Sequence, residues 1–295
     1  MAKTIVNNNI KLKSGGGLTN SPTDGLSVDA SVYPFFGDGS SGDVVISVDT
    51  DLSADMYYNN LTINNGITLN TRGYRVFIKG TFTNNGTIAN NGTSAWYNVG
   101  GVSYSGSLLG GGNGGNGRVA NNKTKGGGGG GGGGVLWIAA YNIAVGGNIF
   151  AKGGNGADGF GAADTPGSGQ TAGETVTNAL VNAAGGAGGG GLAGGAITNV
   201  RVISEHSGII LTNFIDPKNA VSLGGGAGGS GGDTYTTTGN YGGGGGGGGT
   251  IVVIYHILTV DGTYSVVGGA KGLPSGGAPD NAVAGRDGKI IKLQV

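Results

Sequence analysis

From Asp43 to Gly92 apolar and polar residues alternate over short distances, with the two-residue period of half-buried strands and no helical period. Val44-Val45-Ile46-Ser47-Val48, Leu61-Thr62-Ile63, Ile67-Thr68-Leu69, Tyr74 to Phe82 and Thr87-Ile88 are the predicted strands. Between several of them stand Asn65-Gly66, Asn85-Gly86 and Asn91-Gly92, dipeptides that accept the positive φ of tight turns. Short, evenly spaced strands with small corners predict an all-β fold, either a β-solenoid or a meander. Stacked asparagines at the corners (Asn59-Asn60, Asn64-Asn65, Asn84-Asn85, Asn90-Asn91) favour the solenoid, because they can hydrogen-bond from coil to coil.

Beyond residue 100 the pattern changes. Nine glycines, Gly126 to Gly134, run straight into the apolar stretch Val135-Leu136-Trp137-Ile138-Ala139-Ala140. Gly242 to Gly249 runs likewise into Thr250-Ile251-Val252-Val253-Ile254-Tyr255, and a shift of 115 positions aligns the two units. The alignment continues with Ile143 on Leu258, Val145 on Val260, Gly147 on Gly262 and Ile149 on Tyr264. Further tracts lie at Gly110 to Gly117, Gly185 to Gly191 and Gly224 to Gly232. Glycine loses the most backbone freedom on folding, so an isolated run reads as a flexible linker. Tracts repeated around strongly apolar strands read differently: chains without side chains pack closely in an extended helix of three residues per turn. Packed tracts are the expectation, with Gly129, Gly130, Gly245 and Gly246 as the scaffold positions.

Composition narrows the function. Glycine is 73 of 295 residues, yet 37% of the chain is hydrophobic and falls in strand-like clusters, which argues against disorder. Charged residues are 11% with a formal net charge of zero, so a nucleic-acid partner is not expected. The absence of cysteine excludes disulfides and thiolate zinc sites. No apolar run reaches the roughly 18 residues needed to cross a bilayer, and no signal-peptide stretch is visible, so neither membrane insertion nor ordinary export is expected. Release by lysis, as of a virion part, fits.

Chemical motifs are weak. Gly153 to Phe160 fits one calcium-binding nonapeptide, but such repeats work by stacking consecutive copies. Asp49, Asp51 and Asp55 form an oxygen cluster without the rest of a calcium loop, which reads as a solvated turn. Glu205 and His206 are adjacent in a predicted strand and point to opposite faces, so they cannot serve one substrate. His256, which aligns with Tyr141, reads as a structural ring. No catalytic residue, cofactor or metal is expected. The aromatic knot Tyr33-Pro34-Phe35-Phe36 reads as a local core under a loop.

The runs Gly42-Asp43-Val44, Met56 to Asn70, Gly73 to Phe82 and Asn85 to Gly92 together resemble the opening module of glycine-rich bacteriophage tail proteins. Residues 100 to 295 are similar in style to the glycine-rich adhesins at the tips of T-even-like phage tail fibres. That second resemblance implies a sandwich of polyglycine helices whose end loops touch the bacterial receptor. The N-terminal part departs from those adhesins, so their mode of attachment is not carried over.

Three parts are expected: an attachment segment (1–42), a solenoid-like module (43–100) and a glycine-rich domain with variable loops (101–295), its polyglycine II-type helices accompanied by short strands. Loops held by a rigid scaffold carry most binding chemistry. Aromatics among Ser, Gly, Asn and Thr have the composition of contact loops. Trp96, Tyr97, Tyr104, Tyr235 and Tyr241 are therefore the candidate receptor-binding residues, the alternative being that they cap the glycine layers against water. The expected function is host-surface binding by a virion tail or tail-fibre protein. A purely structural fibre or head decoration, and a capsule-degrading tailspike-like glycosidase, are the alternatives. The expected partners are other tail proteins, a protein or polysaccharide receptor, and further copies of the chain, with a trimer favoured.

Overall fold

The computed structural model describes residues 18–21, 25–28, 34–108, 111–117, 119–121, 124–159, 234–235 and 239–295. The predicted strand at 200–204, the glycine tracts at 185–191 and 224–232, and Glu174, Glu205 and His206 lie outside them. Among the described residues there are strands, loops and a single 3-10 turn at Pro34–Phe36, and no α-helix.

After a hairpin, β1 (Leu18–Ser21) and β2 (Gly25–Val28), come β3 (Asp43–Ile46), β4 (Thr50–Asp51), β5 (Met56–Tyr58), β6 (Asn60–Ile63) and β7 (Thr68–Asn70). β8 (Val76–Asn84) and β9 (Thr87–Ala89) precede a second hairpin, β10 (Val119–Asn121) and β11 (Thr124–Lys125). β12 (Val135–Val145) and β13 (Asn148–Phe150) are followed by a third hairpin, β14 (Thr234–Tyr235) and β15 (Gly239–Asn240). β16 (Thr250–Val260), β17 (Thr263–Ser265) and β18 (Lys289–Gln294) complete the set.

Two parallel sheets result. The larger has the order β18-β16-β12-β8-β6-β3, with β5 also on β8, and the smaller has β17-β13-β9-β7-β4. Each of β3, β6, β8, β12 and β16 is followed after two to four residues by a strand of the smaller sheet. The chain thus visits the two sheets in turn, one layer per visit. A meander is ruled out, because its consecutive neighbours would run antiparallel whereas β3, β6 and β8 are parallel. Both sheets also run across residue 100, drawing strands from either side of it.

The repeat in the sequence is the register of the sheet. Val135 pairs with Thr250 and Ile149 with Tyr264, each 115 positions apart. A bulge after Ile143 sets Ala144 opposite Val260, correcting the match of Val145 to that residue. Leu136, Ile138, Ile251 and Val253 fill the core between the sheets together with Leu61, Phe82, Ile88 and Ile149. Trp137, Ala139, Val252 and Ile254 face the other side of the larger sheet, where Phe36 and Phe77 join them. Parallel strands covered on both faces read as continuous apolar runs, which is why these two segments do not alternate. Each fully buried aliphatic side chain contributes about 1.5–3 kcal/mol. Phe36, 2% exposed, and the half-buried Phe35 give their part of the aromatic knot the local core expected of it, whereas Tyr33 lies outside the described residues.

The corners use asparagine in a way the sequence only half conveys. Asn60 Oδ1 accepts the N–H of Thr81 at 2.8 Å, Asn91 Oδ1 that of Lys152 at 2.7 Å, and Asn155 Oδ1 that of Ala270 at 2.9 Å. The bonds run from layer to layer, from backbone to side chain rather than from amide to amide. Of the three predicted Asn-Gly turns, only Gly66 has a positive φ, 77°. Gly86 and Gly92 are there for close backbone approach instead: a β-carbon on Gly92 would stand 2.1 Å from the Gly131 carbonyl oxygen.

Every glycine from Gly126 to Gly134 and from Gly242 to Gly249 is buried. The N–H groups of Gly127, Gly130 and Gly133 bond to the carbonyls of Tyr241, Gly244 and Gly247. Those of Gly128, Gly131 and Gly134 bond to Tyr97, Thr93 and Asn90, and those of Gly129 and Gly132 to Gly115 and Gly112. Every third donor therefore serves the same neighbour. Gly243, Gly246 and Gly249 repeat the pattern on Ala157, Gly154 and Ala151. Backbone bonds replace the side-chain core here, and the linker reading does not apply to these two tracts.

Candidate functional site

The loop from Thr93 to Tyr104 lies against the first glycine tract. Thr93 N–H bonds Val102 O at 2.8 Å, Ala95 N–H bonds Asn155 O at 2.8 Å, and Gly128 N–H bonds Tyr97 O at 2.6 Å. Asn155 N–H in turn bonds Ser94 Oγ at 3.1 Å. Trp96 and Val99 exchange backbone bonds of 3.1 and 2.9 Å around a two-residue turn. Tyr97 occupies that turn with φ at 51°, a left-handed conformation that costs a non-glycine residue on the order of 1–3 kcal/mol. The surrounding bonds to Gly128 and Asn155 hold it there.

Trp96 and Tyr97 meet edge to face, with ring centroids 5.0 Å apart. Trp96 is 73% exposed, and Tyr97, Val99 and Val102 are exposed beside it. The loop thus turns an aromatic and aliphatic surface outward from a backbone that is fixed on its inner side. Of the five aromatic candidates, the structure brings these two into ring contact.

Tyr104 is half-buried and lies under the Arg72 guanidinium, 4.0 Å from its ring centre. Among the described residues Arg72 is, besides Tyr97, the other non-glycine residue with a left-handed φ, 52°, and its Nη2 bonds Asp51 Oδ2 at 2.6 Å. That bond is the main cause holding the Asp51 carboxyl below its usual range. The same bond leads the effects that raise Arg72. Asn70, Arg72, Asn90, Asn91, Thr93 and Tyr104 line a pocket of about 180 Å³. Tyr241 is half-buried and its carbonyl takes the Gly127 N–H. The backbone of Tyr235 pairs with Gly239, and its side chain lies outside the described residues.

The scaffold glycines sit where contact is closest. A β-carbon on Gly130 would stand 1.9 Å from Gly154 O, one on Gly245 1.9 Å from Gly269 O, and one on Gly246 2.1 Å from Gly131 O. Gly129 bonds Gly115 through its N–H and Gly101 through its carbonyl.

The acidic residues that read as a cluster have separate tasks. Asp49 Oδ1 accepts the Thr68 N–H, Asp51 pairs with Arg72, and Asp55 takes Arg75 Nη2 at 2.5 Å and Nε at 2.8 Å. Asp158 Oδ1 accepts the Leu273 N–H at 2.7 Å, so its role is a layer-to-layer bond. His256 stacks near Tyr141 with centroids 4.9 Å apart, and its Nδ1 lies 2.7 Å from Val295 O, in keeping with a structural ring.

Sequence reasoning missed Arg72, whose partner Asp51 and neighbour Tyr104 lie far from it along the chain. The signal present was Gly73, φ 84°, which marks a tight loop but not its contents. No family model, curated protein or solved structure matches the chain.

Proposed function

We propose that the chain is a non-enzymatic component of a bacteriophage tail or tail fibre that binds the host cell surface through loops presented by a polyglycine scaffold. The alternating visits to two parallel sheets are read as a β-solenoid, and the tracts with a three-residue bonding period as polyglycine II-type helices. The observation that carries the functional reading is the exposed Trp96-Tyr97 pair on a loop bonded along its inner side to the glycine layer. Rigid aromatics offer contact area at low entropy cost, and a preorganised loop avoids the cost of ordering on binding.

Four of the described aspartates fit a non-enzymatic role. Asp51, Asp55, Asp261 and Asp280 each hold a basic side chain, which leaves them poorly suited to act as a pair on a glycosidic bond. Other tail proteins and a bacterial surface receptor are the proposed partners, and the virion is the proposed location.

Purified full-length protein is expected to bind host cells saturably and to block phage adsorption. A folded, assembled sample that binds no cells moves the assignment to a structural fibre or head decoration. Release of sugar from the host capsule moves it to a depolymerase.

A further inference from the structure

The polar pocket beside the aromatic loop has a chemistry of its own. At about 180 Å³ it is smaller than the roughly 300–1,000 Å³ of drug-sized sites, so it suits one ring rather than a chain. Its side-chain amides and the Thr93 hydroxyl are each held by at least one bond within the fold. Asn70 Nδ2 donates to Asp51 Oδ1 at 2.8 Å, which leaves the Asn70 carbonyl oxygen as an acceptor. Asn91 Oδ1 accepts the Lys152 N–H, which leaves its amino group as a donor. Thr93 Oγ1 accepts the Val102 N–H at 2.7 Å, so its own proton is available to donate. Asn90 forms part of the wall, 2% exposed; its Nδ2 bonds Val135 O at 2.8 Å, and its Oδ1 has no donor among the described residues.

Fixed donors and acceptors side by side match hydroxyl groups, which do both, better than a phosphate or carboxylate, which only accepts. Charge agrees. Arg72 is already paired with Asp51 and laid over Tyr104, so its charge is largely offset and attracts an added anion less than a lone guanidinium would.

We infer that the pocket bounded by Asn70, Arg72, Asn91, Thr93 and Tyr104 binds a single neutral sugar unit of a bacterial surface glycan. This rests on the adhesin reading and names its ligand class: the Trp96 loop supplies general contact area, and the pocket selects a sugar.

The test uses the full-length protein, an array of bacterial surface glycans, and methyl glycosides of neutral hexoses, N-acetylhexosamines and uronic acids. The expected result is binding of at least one neutral glycoside that persists at high salt. Asn70→Leu and Asn91→Leu, which keep the volume and remove the amide, each lower that affinity about tenfold or more. A photoreactive form of the bound glycoside, applied to unaltered protein, labels residues 70–72, 89–93 or 104 rather than the loop around Trp96, which keeps the test valid should a variant fail to fold. Host-cell binding without binding of any sugar overturns the pocket and leaves the adhesin reading standing. Binding of uronic acids only, lost in salt, overturns it as well, as does labelling elsewhere. Binding of neither cells nor sugars removes both readings.

Discussion

The carbonyl oxygen of Gly131 lies 2.1 Å from the point a β-carbon on Gly246 would occupy, and the two residues are separated by the same 115 positions that relate Val135 to Thr250. One repeat thus operates in two media. In the sheets it superposes side chains layer on layer, and in the glycine layer it superposes backbones too close for any side chain. Strand and tract therefore share a register, and an error in one displaces the other.

Gly130→Ala is expected to prevent soluble folding, because the added carbon would stand 1.9 Å from the backbone oxygen of Gly154. Gly66→Ala is the control: its φ is 77° but the space around it is open, so it costs only about 1–2 kcal/mol. Soluble yield and thermal melting of the two variants check this. A well-folded Gly130→Ala protein would return the tract to the linker class.

Trp96→Ala and Tyr97→Ala are expected to reduce host-cell binding strongly while leaving the melting temperature within a few degrees. Trp96 is 73% exposed and its burial contributes little to the fold. Equal losses of binding and of stability would assign these rings to capping the glycine layer.

Asn84 is fully buried, donates from Nδ2 to Asn148 O at 3.0 Å and accepts the Gly86 N–H at 3.1 Å. Asn84→Ala removes the bond to Asn148 O and leaves the buried Gly86 N–H without its Asn84 acceptor, and is expected to cost about 1–3 kcal/mol in chemical denaturation. An unchanged midpoint would show that the corner bonds between layers are dispensable.

Burial works against ionisation of Asp55, but the hydrogen bonds from Arg75 and Ser107 outweigh it and hold its carboxyl below the usual carboxylate range. A depressed folded-state value gives stability that is present above the unfolded value and lost as the pH falls through the folded one. Acid titration of stability is therefore expected to show a loss below the ordinary aspartate range that is smaller in Asp55→Asn. Identical acid limbs would contradict the role given to the pair.

The parts of this fold that were legible in the sequence are those written in side chains. The alternation of 43–92 and the apolar runs after the glycine tracts correspond to β3 through β9, β12 and β16, apart from the short β4 and β5. β18 was missed because it stacks on β16 at a shift of 39, Thr250 on Lys289, and its lysines break the apolar signal. Which tract neighbours which was not legible at all, since a glycine run carries no side chain to mark its partner. The Trp96-Tyr97 pair was legible as composition, whereas the Arg72 wall of the pocket depends on backbone conformation and long-range pairing that no local pattern records.

In the proposed function the glycine layer holds recognition loops toward a host. Imaging of intact particles, with this chain located by a bound antibody fragment, tests it most directly. The chain is expected at the distal end of the tail or its fibres, with the loop around Trp96 facing outward. A position on the head, or an internal one with that loop buried against another virion protein, would contradict it.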